Sequence, residues 1–361
     1  MANDTVCLTP FGNFMKMHIT QLACMTLIAG LSAGAQAQEM KTETYGKIHL
    51  EANNIKTGTG PSRVELRDSA SRAGIRGTRN IGDGFIGLFG AELSFASDAG
   101  TFGSTPLRAA YVGMDTPYGT FAGGRLDNGS PVGSPFYNQL SKITTYAPND
   151  SGITAWTDDF TNPRNRVSNA LGYRTSKGKD FDVRARYFMR GSNNVSENTA
   201  SSFDLGGEYK FGNLQIGLGY GKDIKDGGLV APTATTSDFK EKNQVGLRWS
   251  TGFISPYVVA GTDKYVQYFD AKTKLATNRA KANYSVLGAD YTTGKHTVAL
   301  NLLSRDIQSQ LVGVRKMTQL GYSYNLSPKD TLQAYVQNDG VDDSKTNNHV
   351  KVFGMAYLYR F

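Results

Sequence analysis

A two-residue rhythm of apolar and polar side chains organises the chain. It is clearest in "FDVRARYFMR", where Phe181, Val183, Ala185, Tyr187 and Met189 fall on one face and Asp182, Arg184, Arg186 and Arg190 on the other, broken only at Phe188. Such alternation places successive side chains on opposite faces of a β-strand. One face is greasy and the other ionic. "FDLGGEYKF" likewise separates Phe203, Leu205, Tyr209 and Phe211 from Asp204, Glu208 and Lys210, and "QVGLRW" separates Val245, Leu247 and Trp249 from Gln244 and Arg248. The terminal segment sets Phe353, Met355, Tyr357, Tyr359 and Phe361 against Gly354, Ala356 and Arg360. In water, an aromatic row on a terminal strand would be an aggregation-prone edge.

About sixteen such segments follow, beginning near residues 42, 70, 84, 106, 118, 165, 180, 202, 213, 242, 253, 282, 296, 314, 330 and 349. Short turns ("NIGDG", "DTPYG", "SKGKD", "FGN", "STG", "TTGK", "LSPKD") alternate with long polar connections ("ASDAGTFGST", "GSNNVSENTAS", "KDGGLVAPTATTSDFKEK", "GVDDSKTNNH"). A meander that is tight at one end and long at the other is the plan of an outer-membrane barrel. The predicted fold class is therefore all-β, a transmembrane antiparallel β-barrel of about 16 strands. Inside a bilayer every backbone N–H and C=O must be paired, so strands can cross only as a closed cylinder. A cylinder of this size is too wide for side chains to fill, and leaves an aqueous channel.

Composition agrees with many short strands and turns: Gly 41, Tyr 19 and Phe 18, against Trp 2. Lys16 and His18 precede the apolar run "LACMTLIAGLSAG" and the small-residue site Ala35-Gln36-Ala37, the order expected of a secretory signal peptide cut before Gln38. Residues 1–37 are thus expected to be leader and signal peptide, with translation starting at Met15 or Met17, and residues 38–361 the barrel domain. Cys7 and Cys24 both lie in the removable segment, so the exported chain would have no disulfide. One Asp and one Lys cancel within residues 1–37, so the formal net charge of +8 belongs to the barrel.

Several stretches resemble the trimeric Gram-negative porins of the betaproteobacterial type. "SRAGIRGTRNIGDGFIGLFGAELSF" is similar to that family's second and third strands, "FGSTPLRAAYVGMDTPYGTFAGGR" to its next hairpin, "RVSNALGY" to its sixth strand and "TYGKIH" to its first. The resemblance is most specific in residues 42–126, 166–173 and the terminal strand. Thr78-Arg79-Asn80 departs from the family's acidic turn, Lys47 stands where Arg is common, and "GYRTSKGKDF" lacks the usual end of the sixth strand. The resemblance implies a homotrimer in the outer membrane, surrounded by lipid and lipopolysaccharide. It also implies that the assembly machinery recognises the carboxyl-terminal strand ending in Phe361, which pairs with "TETYGKIHLEA".

The longest connection, residues 127–165, corresponds to the third loop, which in this family folds inward and constricts the pore. Long connections without periodicity are often functional, and Tyr137, Tyr146, Trp156 and Phe160 are candidate anchors against the wall. The resemblance places a basic wall opposite the loop, at Arg72, Arg76, Arg108, Arg125 and Arg166, with Lys47 alongside. Alternation puts Arg72 and Arg76 on a face opposite Ala73 and Ile75, whereas strict parity groups Arg125 with Phe121. Arg184 and Arg186 extend the positive lumen face. Glu92 and Glu51 are barrel acids that would blunt it. Asp127, Asp150, Asp158 and Asp159 are the candidate acidic partners on the loop. Guanidinium stays charged at any working pH, and a charged ring selects ions by its potential, so the expectation is passive diffusion of small hydrophilic solutes and ions with a preference for anions.

A substrate-specific channel for a sugar or organic acid is the alternative, followed by an outer-membrane enzyme or a scaffold barrel. His49, His296 and His349 are scattered, and no Ser-His-Asp spacing stands out. No zinc pattern appears, and "DGVDDSKTNN" departs from a calcium loop. "GYGKDIKDGG" lacks the Lys-Ser/Thr of a phosphate-binding loop. No cofactor, metal, nucleic-acid partner or catalytic residue is expected.

Overall fold

The computed structural model describes residues 40–127, 129–135, 166–175, 180–189, 202–222, 238–270, 275–278, 281–309, 312–341 and 349–361. These residues form eighteen strands: β1 (Met40–Thr57), β2 (Ser62–Asp68), β3 (Arg72–Gly82), β4 (Phe85–Ala96), β5 (Thr101–Thr116), β6 (Gly119–Asp127), β7 (Arg166–Arg174), β8 (Phe181–Phe188), β9 (Ser202–Phe211), β10 (Leu214–Lys222), β11 (Asp238–Trp249), β12 (Ile254–Asp270), β13 (Leu275–Asn278), β14 (Lys281–Thr293), β15 (His296–Ser309), β16 (Val312–Asn325), β17 (Asp330–Val341) and β18 (Val350–Arg360). Among the described residues no helix is long and apolar enough to cross a membrane, a criterion that does not bear on barrels.

The eighteen strands make a closed antiparallel barrel of sixteen, because two staves are each broken in two. β2 and β3 both pair with β1, β2 along Leu50–Lys56 and β3 along Met40–Lys47. Between them Ala70 takes a left-handed φ of 60°, and the amides of Ser71 and Ser97 donate to the Asp68 carboxylate at 3.0 and 3.2 Å. β13 and β14 share β12 in the same way. β1 closes against β18 from Lys47↔Arg360 to Thr57↔Val350, and Gly46 and Phe361 exchange both backbone bonds at 3.2 Å. Phe361 is therefore tied in, its ring lying over the space where a Gly46 side chain would be.

One rim carries tight turns. Gly212-Asn213 and Gly294-Lys295 each join neighbouring strands with two residues, and the glycines sit at φ of 56° and 55°. A positive φ at the first turn position gives the twist that antiparallel neighbours need. The opposite rim carries the long connections, with one correction. The stretch 96–105, expected to be a long polar loop, turns within residues 97–100. Phe95 pairs with Phe102 and Ala96 with Thr101, while Gly100 at φ 63° closes the turn. Cross-strand aromatic pairing outweighs the polar composition there.

The wall is apolar outside and polar inside. Along β18, Phe353, Met355 and Tyr357 are 56%, 57% and 44% exposed on the outer face, while Val352, Gly354, Ala356 and Leu358 are buried. Large outward residues recur on most staves, including Val112, Leu171, Leu218 and Leu287. Leaving such a side chain in water rather than hydrocarbon costs roughly 1.5–3 kcal/mol, so a solvent of lipid is built into this surface. The inner face holds Glu51, Asp204, Lys242, Asp263 and Arg305 almost without exposure.

Inward tyrosines complete the wall. Tyr45, Tyr111, Tyr257, Tyr284 and Tyr335 stand directly across from Gly74, Gly90, Gly288, Gly261 and Gly354, each ring occupying the space of the missing side chain. Pairing an aromatic with a cross-strand glycine restores the packing that the glycine gives up.

Candidate functional site

The register brings most of the predicted cations together. Lys47 of β1 stands opposite Arg72 of β3. The next inward pair along β3 is Gly74 opposite Glu92 of β4, and Glu92 in turn faces Ala109 of β5, beside Arg108. Ala110 then faces Arg125 of β6. Lys47, Arg72, Arg108 and Arg125 thus form a short arc around one level of the lumen, and Glu92 stands in its middle.

Geometry ranks these residues. Arg108 donates from Nε to Glu92 Oε1 at 2.7 Å, and Arg72 Nε lies 3.4 Å from Glu92 Oε2. The Glu92 and Arg108 side chains are only 4% and 7% exposed, but Arg72 keeps 34% of its surface open. Lys47 Nζ donates to the Ser69 carbonyl at 3.1 Å, and Arg125 Nη1 donates to Ser168 Oγ at 2.6 Å. Among the described residues, Lys47 and Arg125 form no salt bridge, while Arg72 and Arg108 share a single carboxylate. The arc therefore keeps a surplus of positive charge.

Arg125 violates strict parity because its strand is bulged. The register with β7 slips between Gly124 and Leu126, which sets Arg125 towards Ser168. A bulge re-aims the side chains beyond it. Arg76 belongs to another level. Four residues from Arg72, or about 13 Å along the strand, it pairs with Glu43 and covers the Tyr45 ring at 4.9 Å. The Arg166 backbone opens β7 opposite Asp127; its side chain, with Asp150, Asp158, Asp159, Tyr137, Tyr146, Trp156 and Phe160, lies outside the described residues.

Asp127 has a local task. Its Oδ1 accepts from the Gly129 amide at 2.9 Å and from Ser130 Oγ at 3.1 Å, while its own amide donates to Ser130 Oγ at 2.8 Å. This reciprocal capping turns the chain as it leaves β6, and residues 129–135 continue into the barrel. Val132 is fully buried among Ala122, Leu126, Ala170 and Phe188, and it fills the space above Gly172. Farther along, the Pro135 carbonyl occupies the space where Gly206 of β9 would carry a side chain, and Arg184 donates to the Ser134 carbonyl at 3.2 Å. Phe188, the residue that breaks the alternation of its segment, points inward because its neighbour there is Val132 rather than water.

Farther round the wall, each cation meets a carboxylate. Arg186 holds Asp204 through two bonds at 3.0 and 2.6 Å, both side chains at 0% exposure. Lys242 and Arg305 share Asp263 at 2.8 and 3.1 Å, and Lys242 also stacks on Tyr284 at 4.3 Å. Arg248 reaches Asp290 at 2.6 Å. Arg174 reaches Asp182 at 2.8 Å, and Arg184 bonds to the same carboxylate. Arg174, Lys242, Asp263, Asp290 and Arg305 escaped the sequence reading. Alternation marks all of them as inward, but nothing local names their partners.

No group of three or more potential metal ligands occurs among the described residues. A family model of the Gram-negative porins matches residues 23–344. None of the curated proteins compared matches the chain. Among solved structures, the anion-selective porin from Comamonas acidovorans superimposes with a TM-score of 0.67 at 18% identity, covering 90% of this chain and 100% of that one. OmpF of Salmonella typhi, solved with daunomycin, gives 0.64 at 16% identity over 89% and 98% of the two chains. OmpT of Vibrio cholerae in a trimer form gives 0.60 at 14% identity over 89% and 99%. At these identities the structural likeness concerns the fold.

Proposed function

Because the chain belongs to the Gram-negative porin family, forming an outer-membrane β-barrel channel through which solutes diffuse, we propose that it works as a homotrimeric, anion-preferring pore exported by its amino-terminal signal peptide. One observation carries the preference: Lys47, Arg72, Arg108 and Arg125 surround Glu92 at the level where residues 129–135 enter the lumen. Residues 129–135 narrow the passage there, with Val132 packed among Ala122, Leu126, Ala170 and Phe188 and the Pro135 carbonyl set against Gly206. An anion passing there travels within about 8 Å of the wall, one Debye length at 0.15 M salt. Attraction is weak and permanent, so solute is drawn in and released without a tight site. The anion-selective porin from Comamonas acidovorans, a structural neighbour, supports the same reading.

Export and assembly complete the proposal. The signal peptide ends at Ala37, and Phe361 with the aromatic row of β18 presents the strand that the assembly machinery recognises. Planar-bilayer recording tests the function. A reversal potential directed towards the anion, with conductance in triple steps, is expected; a cation-directed potential would defeat the arginine argument, and single steps would defeat the trimer.

A further inference from the structure

On the inner face of β1, two residues beyond Lys47, stands a pair that solute diffusion does not use. His49 and Glu51 share that face as alternate residues of one strand, and their side chains are 1% and 0% exposed. His49 Nε2 lies 3.7 Å from Glu51 Oε1. Neither atom has a hydrogen-bond partner, and nor does His49 Nδ1. Buried polar groups are nearly always bonded, so a pair left without bonds points to a partner of another kind, such as an ion.

The neighbours hold the pair in place. The Tyr335 hydroxyl of β17 reaches Glu51 Oε2 at 3.3 Å and Asn53 Oδ1 at 2.5 Å, which leaves Oε1 as the oxygen turned to the ring. The His49 amide donates to Ser71 Oγ at 3.0 Å. Gln333 of β17 shares a cross-strand row with Glu51, separated from it only by the small Ala356 of β18, and its side chain comes up to the imidazole. Gln333 Oε1 has no partner either. Nearby cations are engaged elsewhere: Lys47 Nζ donates to the Ser69 carbonyl at 3.1 Å, and Arg67, opposite Glu51, meets Glu65 at 2.9 Å.

A separation of 3.7 Å is too long for a hydrogen bond. Two ligands of one tetrahedral metal ion, each about 2.0–2.2 Å from it, sit roughly 3.4 Å apart, which small side-chain rotations supply. Imidazole suits zinc and its neighbours among the transition metals, whereas calcium takes about six to eight oxygens. We infer that His49 Nε2 and Glu51 Oε1 bind a divalent cation of the zinc class, with Gln333 Oε1 accepting from Nδ1–H and the remaining positions open to water or a passing anion. A metal-bound imidazole usually gives its other N–H to such an acceptor, which fixes the tautomer. Two protein ligands make an exchangeable site, and the ion approaches it from the lumen. Its charge falls about 7 Å along β1 from Lys47, inside the ~8 Å Debye length of 0.15 M salt, so loading adds to the surplus of the arc. That consequence rests on the channel reading; the binding does not.

The test is calorimetric titration of the intact, untagged barrel in detergent with zinc chloride, after treatment with a chelator. Wild type should bind one zinc per chain. His49→Gln and Glu51→Gln should each bind at least about tenfold more weakly, and Gln333→Leu about tenfold, the usual cost of losing a supporting acceptor. His296→Gln should bind as wild type does. Absence of binding in wild type overturns the site, as does unaltered binding in both His49→Gln and Glu51→Gln, or calcium bound as tightly as zinc. If neither variant folds, X-ray absorption decides on the zinc-loaded double variant His296→Gln, His349→Gln, in which His49 is the one histidine left in residues 38–361. Imidazole scattering around the zinc sustains the site, and a shell of oxygen alone overturns it. In planar bilayers zinc should raise the anion-to-cation permeability ratio of wild type by roughly two- to fivefold and leave His49→Gln unmoved. Zinc bound as expected in a channel that does not select anions defeats the channel reading and sustains the site.

Discussion

Two arcs of the same inner wall handle charge in opposite ways. On the arc from β8 to β15, buried cations each meet a carboxylate: Arg186 holds Asp204, and Lys242 and Arg305 both hold Asp263. On the arc from β1 to β6, Arg72 and Arg108 share Glu92, Lys47 and Arg125 form no salt bridge among the described residues, and Arg72 remains a third exposed. A buried charge must be paired because removing both groups from water is costly. A charge at an aqueous surface can stay in excess and act on mobile ions. The matched arc, where each cation meets a carboxylate, is therefore expected to act as a stability element, and the surplus arc is the one we propose to select ions.

The sharpest way to break this division is Asp263→Ala. It removes the carboxylate that two buried cations share, and taking one member from a buried pair costs about 3–5 kcal/mol. A large drop in the temperature at which the barrel loses its native electrophoretic mobility is expected. If the midpoint does not move, the matched arc is not what stabilises this wall.

The next largest effect is expected on the surplus arc. At about 8 Å in water each unit charge is worth about 0.5 kcal/mol, roughly a factor of two in local ion concentration. Arg72→Gln with Arg108→Gln should lower the anion-to-cation permeability ratio severalfold in a salt gradient. Arg72→Glu alone should shift it in the same direction with the barrel intact. Glu92→Gln should move the ratio the other way, by about the factor of one charge, since it deletes the arc's internal acid. A ratio that Glu92→Gln leaves unchanged would mean that Glu92 does not temper the field.

The architecture was legible because the bilayer imposes one rule on every stave. Period-two alternation placed the first strand start near residue 42 and the last near residue 349, against Met40 and Val350 in the structure, and the alternating turn lengths implied closure. Where the solvent rule changes locally, the pattern misleads: Phe188 turns inward onto Val132, and Phe95 with Phe102 shortens a connection that its polar residues disguise. The site was legible in part. Resemblance picked out the strands of the basic wall, and alternation supported Arg72. It could not reveal that Glu92 joins Arg72 to Arg108, that Asp127 caps a turn, or that a bulge aims Arg125 at Ser168, because partner and register are properties of neighbouring staves. The same limit hid the Lys242–Asp263–Arg305 triad, whose members are 21 and 42 residues apart.

The smallest effect tests where the surplus arc ends. Arg76 shares its strand and face with Arg72 and carries the same charge, so a reading by residue type would weight the two equally. Its surroundings differ. Arg76 and Glu43 are 54% and 56% exposed and paired with each other, so the couple presents almost no net charge to a passing ion. It also sits about 13 Å from Arg72 along the strand, beyond the ~10 Å Debye length of 0.1 M salt. Arg76→Gln should therefore change the permeability ratio by less than a quarter of the change caused by Arg72→Gln at that salt concentration, and an exposed ion pair of this kind contributes no more than about 1 kcal/mol to stability. Glu43→Gln, which uncovers Arg76, should raise anion preference slightly, and that rise should vanish at 1 M salt, where screening acts within about 3 Å. If Arg76→Gln matched Arg72→Gln, the selective region would extend down β3, and the arc around Glu92 would lose its separate identity.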